Sequence, residues 1–379
     1  MYARLKRALF FLGLLFILPL ISLAQDEDRM EMIARVQSRF SANLPADSSF
    51  SELQNSAQIR RARLGVRGSL LEKKFSYQLL AAFDSPQFGD AIGNQFGLLD
   101  AFVIWKPREF FEVKFGQFLL PGNAERSFTS KSQQFVEQSM LSSRFGLDRD
   151  IGIELMHKWQ LGDVGIRERV FAGNGEGQNQ FGNFGGLQYV GRLEILPFGF
   201  FSNEGDNFMS DLSRESTPKL LLGASWSYND NTRNQIQWVG EELAIPIERD
   251  VLTWNIDLHL KWKGFSWYTQ YAQRSVELPF VYDETLNLRG FYDQGDAFTT
   301  QLGILFGKDF ELAGRYTMLS NSLNSVSLLS SDLNEYTLGF SKYLKNHDLK
   351  LQTDFMYSDF GSPEVADNIG FRVQLELGI

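Results

Sequence analysis

Between residues 252 and 262 the chain alternates without a break: Leu252, Trp254, Ile256, Leu258, Leu260 and Trp262 are large and apolar, and every residue between them is polar. A period of two sends the two sets to opposite faces of a β-strand. The apolar face has an indole at each end and aliphatic side chains between. That is the order expected of a strand crossing a bilayer, because tryptophan favours the interface and aliphatic groups the hydrocarbon. Taken alone, the stretch also suits a strand in a soluble sandwich with one wet face.

The beginning of the chain bears on the compartment. Arg4, Lys6 and Arg7 precede an apolar run, 8–23, that ends in Ser22-Leu23-Ala24. These are the marks of a secretory signal peptide, residues 1–24, cleaved before Gln25. An uncleaved anchor helix is the alternative, and the small residues and the polar stretch 26–29 weigh against it. Beyond this run no apolar stretch approaches the ~20 residues a membrane helix needs, so a span in 25–379 has to be built from strands.

Removing the three basic residues of the signal from the 37 Lys and Arg, against 46 Asp and Glu, takes the net charge from −9 to −12. An acidic exported chain is a poor nucleic-acid binder, which needs a basic footprint. With no cysteine, disulfides and thiolate metal sites are excluded, and no cofactor or metal is implied. The mean hydropathy of −0.21 resembles that of a soluble protein, as alternating faces cancel in any average. Thirty-four phenylalanines nonetheless need a surface on which to sit, and a lipid-facing girdle supplies one.

The same alternation predicts strands at 31–41, 58–71, 74–84, 97–106, 110–118, 149–159, 164–172 and 186–196 in the first half. In the second half they fall at 219–229, 252–263, 265–275, 297–306, 309–318, 334–343, 348–357 and 369–379. Short turn-like connections at 72–74, 107–109, 161–163, 263–264, 307–308 and 345–347 alternate with long ones rich in Gly, Asn, Asp and Ser. The expected fold is therefore all-β: a transmembrane antiparallel barrel of sixteen strands in a bacterial outer membrane, with both termini on the periplasmic side. One connection, 197–218, is long where the count requires a short periplasmic turn.

Alternation also assigns a lumen face. Arg35, Arg39, Arg61, Arg63, Arg67 and Arg372 fall on one wall, formed by the first, second and last strands, opposed there by Glu31 and Glu376. Guanidinium groups stay charged and offer fixed donors, so such a wall can lead oxyanions along a pore. Lys106, Lys114, Arg167, Arg169, Arg192, Lys261, Arg315 and Lys350 also point inward. They are mixed with inward acids, including Asp84, Asp100, Glu112, Glu154, Glu194, Asp257, Glu311 and Asp354, and pairing with these could be purely structural. Glu168 falls on the outward parity between two arginines, and a bulge would remove that conflict. The long segment 119–148, with Glu125, Arg126, Lys131 and Glu137, is expected either to fold into the barrel as a constriction or to remain a surface loop.

Several stretches resemble the phosphate-selective porins O and P: Arg60-Arg61-Ala62-Arg63-Leu64-Gly65-Val66-Arg67-Gly68, Gly116-Gln117-Phe118, Glu125-Arg126, Arg149-Asp150-Ile151-Gly152 and Val170-Phe171-Ala172-Gly173-Asn174-Gly175-Glu176-Gly177. Weaker echoes occur around Gly290-Phe291-Tyr292, Gly314-Arg315-Tyr316 and Leu338-Gly339-Phe340. The resemblance implies a trimeric sixteen-stranded channel passing small hydrophilic solutes, with phosphate or polyphosphate led along arginines and lysines. This chain departs from the family pattern at Gln138, where arginine is common.

Two rival readings differ in class. A barrel enzyme would need a catalytic group, and the three histidines, His157, His259 and His347, have no serine or acid placed beside them for a triad. A general diffusion porin would use opposed charges to create a transverse field without choosing anions. The choice depends on which charges meet at the narrowest point.

Overall fold

The computed structural model describes residues 29–46, 52–83, 97–180, 182–183, 185–233, 247–321, 332–361 and 365–378. The expected signal peptide 1–24, Gln25, Asp84 and Ile379 lie outside the described residues. All sixteen predicted strands are present and close into one antiparallel barrel. In chain order they are β1 (Arg29–Pro45), β2 (Gln54–Leu70), β3 (Phe75–Ala82), β4 (Gly97–Arg108), β5 (Phe111–Leu119), β6 (Arg149–Leu161), β7 (Val164–Gly173) and β8 (Gln188–Leu196). There follow β9 (Lys219–Thr232), β10 (Arg249–Trp262) and β11 (Phe265–Val276). A small hairpin, β12 (Phe280–Tyr282) with β13 (Leu288–Phe291), forms a separate two-stranded sheet in a segment expected to be loop and packs Val281 against Val251 and Val276 of the barrel. The barrel resumes with β14 (Gly295–Phe306), β15 (Phe310–Asn321), β16 (Leu333–Lys345), β17 (Leu349–Asp359) and β18 (Asn368–Gly378), and β18 pairs with β1.

The faces are inverted relative to a soluble protein. On β10, Ile256 is 64% exposed on the outside while Asp257 and Lys261, facing inward, are 2% and 1% exposed. A continuous apolar exterior of this kind is stable only in hydrocarbon. Trp254 and Trp262 are eight residues apart, about 27 Å along the strand and roughly 20 Å along the membrane normal at a tilt of ~40°. That approaches the ~25 Å apolar band of such barrels. Tyr316, Tyr336 and Tyr357 form a belt near the loop end, with ring centroids 5.1 and 6.4 Å apart. Phe306, Phe310 and Phe340 do the same near the turn end.

Turn chemistry fixes the register at the short end. Lys263 and Gly264 both have positive φ, 51° and 88°, the geometry of a two-residue hairpin turn whose twist matches that of the strands. Two sequence expectations about register need correction. No register shift occurs along β7, so Glu168 faces outward as its parity indicates, and its partner is His157 on β6 at 3.2 Å. A shift does occur between β1 and β2: Gln37 faces Arg61 and Ser38 faces Ile59, leaving Arg60 as an extra residue. A bulge re-aims the side chains around it.

Candidate functional site

The segment 119–148 runs inside the barrel. Its root is held by an inward cluster of Phe118, Leu120, Leu147, Phe171 and Val190. Phe118 faces inward by the same parity as Lys114, and at Gly116 between them, at φ 130°, a Cβ would overlap the Ala101 carbonyl oxygen. A short helix, Met140–Phe145, docks Leu141 and Phe145 against Ala272 and Ala297 of the inner wall. The stretch 133–137 is fastened to the far wall by its backbone. Lys350 donates to the Gln133 carbonyl (2.8 Å), Gln352 to that of Gln134 (2.9 Å) and Arg315 to that of Glu137 (2.9 Å), while the Val136 N–H donates to Asp354 (3.1 Å).

The loop ties up part of the arginine wall. Glu137 accepts from Arg39 (2.6 Å), Arg60 (2.8 Å) and Arg61 (3.4 Å). Burial alone would raise the pKa of Glu137, but the charges of Arg61, Arg60 and Arg39 outweigh it and hold the carboxyl well below the usual carboxylate range. Arg60 is the residue that sequence parity missed, since only the bulge brings it onto this carboxylate. Arg35 pairs with Glu376, Arg372 with Asp354 (2.7 Å), and Arg67, 60% exposed, with Glu31 at 2.9 Å.

Among the described residues a cavity of about 310 Å³ lies beside β1 to β7. Its basic wall residues are Arg35, Arg61, Arg63 and Arg67, then Lys114, Arg149 and Arg169, together with Arg126 and Lys131 of the loop. Against these nine cations, Asp100 is the single acid in the lining among the described residues. Many of the cations have carboxylate partners, but of these only Asp100 is in the lining, and Glu31, Glu137, Glu376, Asp148 and Asp348 are not. Lys114 lies over the rings of Phe102 and Phe118, 4.3 and 4.2 Å from their centroids. Among the described residues neither Lys114 nor Arg169 forms an ion pair, and the Nε of Arg169 has no hydrogen-bond partner.

The constriction segment balances in charge by count but not in space. Glu125 is fully buried, bonded to Ser139 and Ser142 inside the loop, and Glu137 is taken by three arginines. Arg126 and Lys131 face the cavity.

Other inward cations lie elsewhere, in a half of the lumen that is filled. Arg192 is held by both oxygens of Asp257 (2.7 and 2.9 Å) and by Glu194 (2.7 Å), and Arg167 joins Glu194 at 2.9 Å. Arg315 pairs with Glu335 at 3.3 Å and lies over the ring of Phe135. Lys261 donates to the carbonyls of Gly205 and Ser210, residues of the long connection 197–218. The sequence had grouped these four with Lys114 and Arg169, and the packing separates them. The small inward residues Ala272, Ala297, Gly303 and Gly339 were the available signal: a Cβ on Gly303 would strike Gln134, and one on Gly339 would lie 2.8 Å from Phe135.

A closed sixteen-stranded barrel with an apolar exterior and a charged, loop-narrowed lumen is a porin, an outer-membrane channel. The chain belongs to the family of phosphate-selective porins O and P, whose model matches residues 31–367. Comparison with curated proteins gives no match. Among solved structures, similarity extends to an anion-selective porin from Comamonas acidovorans, with 11% identity, a TM-score of 0.59, and 93% of this chain and 100% of that one covered. OmpF of Salmonella typhi is similar at 12% identity and a TM-score of 0.62, with 94% and 99% covered. The trimer form of OmpT, an outer membrane protein of Vibrio cholerae, has 10% identity and a TM-score of 0.53, with 93% and 100% covered. At these identities the likeness speaks for the fold.

Proposed function

We propose that this porin is an anion-selective channel for passive uptake of small hydrophilic anions, phosphate among them, and that 119–148 is its constriction loop. The observation that carries the reading is the cavity wall, with nine cations to one carboxylate among the described residues, in a chain that is acidic overall. In so narrow a space the nearest fixed charges set the sign of the ion admitted. Arg63, Lys114, Arg126 and Arg169 are the residues we assign to the ion path. The solved porin from Comamonas acidovorans is itself described as anion-selective, and OmpT is seen as a trimer; by analogy we assign this chain a homotrimer. We further read residues 1–24 as a Sec signal peptide removed on export, and 25–379 as the mature porin.

The same reading makes the chain a channel and not an enzyme. His259 and His347 are packed among aromatic rings, and His157 pairs with Glu168 on the outer face. The mixed-sign network around Arg192 is what a general diffusion porin would expose, and it favours that second reading only if ions reach it. Zero-current potentials across planar bilayers in a KCl gradient decide between them. Anion preference supports the proposal, and cation preference or none refutes it.

A further inference from the structure

The connection 197–218 joins β8 to β9 at the turn end of the barrel, where the other described connections are short. It rises into the lumen. Lys261 donates to the carbonyls of Gly205 (2.8 Å) and Ser210 (2.6 Å), Arg167 pairs with Asp206, and the Ser210 hydroxyl donates to Glu311 at 2.7 Å. Phe201 packs on His259 and Phe208 stacks on His347, with centroids 5.8 and 4.7 Å apart. At its apex the Met209 N–H donates to the Ser132 carbonyl at 3.0 Å, meeting the segment that descends from the opposite end. Met209, Phe128, Ala124 and Tyr268 close the junction as one apolar cluster.

The consequence shows in the wall behind the two segments. Lys261, Tyr268, Glu311 and Lys350 all face inward, yet each is at most 1% exposed; Lys261 and Glu311 bond to 197–218, and Tyr268 and Lys350 bond to Glu125 and Gln133 of 119–148. Side chains lining a column of water would be wet. This covered wall carries both signs, in the pairs Arg192–Asp257 and Arg167–Glu194 and in the facing charges Lys261 and Glu311, whereas the open cavity on the other side is almost wholly cationic.

We propose that 197–218 is a selectivity-determining plug: by closing from the turn end the mixed-sign half of the lumen that 119–148 occupies from the loop end, it confines permeating ions to the cationic cavity. The proposal rests on the anion-selective reading given above. Ions crossing a barrel with two aqueous routes divide between them, so a second route of mixed sign would dilute the preference imposed by the first.

The test uses the full-length porin with 199–217 replaced by Asn-Gly, set against the wild type in planar bilayers. Without the plug, single-channel conductance rises by about twofold and the anion-to-cation permeability ratio falls toward one. A folded variant with unchanged conductance and ratio overturns the proposal. A second arm needs no deletion and exploits the absence of native cysteine. Leu221→Cys, buried against Phe201 of the plug, stays unmodified by a charged methanethiosulfonate reagent, while Arg63→Cys on the cavity wall is modified and its current falls. Modification of Leu221→Cys with loss of current would show water behind the plug and sink the idea. If the wild type shows no anion preference, the functional reading fails. The conductance and labelling arms still report separately on whether 197–218 blocks its half of the lumen.

Discussion

Removing the two cavity cations that form no ion pair among the described residues, in Lys114→Met with Arg169→Met, isolates charge on the ion path from charge that holds the wall. A cavity of about 310 Å³ is equivalent to a sphere of radius ~4 Å, which puts a wall charge ~5 Å from an ion at its centre. At the dielectric of water the two interact by ~0.8 kcal/mol, trimmed to ~0.5 kcal/mol by 0.1 M salt. Losing one such charge raises the energy of an anion and lowers that of a cation by that amount. The permeability ratio therefore drops about fivefold per site, and at most ~25-fold for the pair if they act independently. Stability changes little, because Lys114 gives up contacts with two rings worth ~0.5–1 kcal/mol and neither residue breaks an ion pair. The assay is the zero-current potential in a tenfold KCl gradient, with heat-modifiable migration on a gel as the check on folding. A folded double variant with the wild-type ratio would show that ions do not pass these residues.

Other substitutions separate structural charges from conducting ones. Arg192→Met strands Asp257, whose side chain is fully buried, and should cost about 3–5 kcal/mol in urea unfolding from micelles while leaving ion preference nearly unchanged. An unfolding midpoint equal to the wild type would contradict that role. Glu137→Gln removes the acceptor shared by Arg39, Arg60 and Arg61 and loosens the loop. Since the folded pKa of Glu137 is depressed, the stability gap between wild type and variant is full above the unfolded carboxyl value of ~4.3 and closes only as pH falls through the lower folded value. A gap that instead opened with acid would refute the assignment.

Much of the lumen wall was legible because parity is a local property. Arg35, Arg61, Arg63 and Lys114 all line the cavity from the side their position in the alternation gives. Arg60 was not legible, because a bulge inserts one residue and reverses parity without leaving a composition signal. Glu125 and Glu137 looked like pore charges equal to Arg126 and Lys131. Their pairing depends on partners far away in sequence, on β1 and β2 for Glu137 and in a second turn of the same loop for Glu125. The connection 197–218 broke the pattern of short turns, which marked it as unusual but did not indicate that it fills the lumen.

Strand number, strand boundaries to within a few residues and the identity of the lipid face followed from the sequence alone. A period of two is imposed by the pleat itself, and hydrocarbon tolerates only one choice of outward residue. Which charges an ion meets was decided by tertiary structure. Two long segments enter the barrel from opposite ends, fill the half with the mixed-sign wall, and leave the half whose described lining holds nine cations and one carboxylate. Composition counts charges without regard to where they sit. Selectivity depends on distance and burial, and these were fixed only when the loops docked on the small residues Ala272, Ala297, Gly303 and Gly339 of the inner wall.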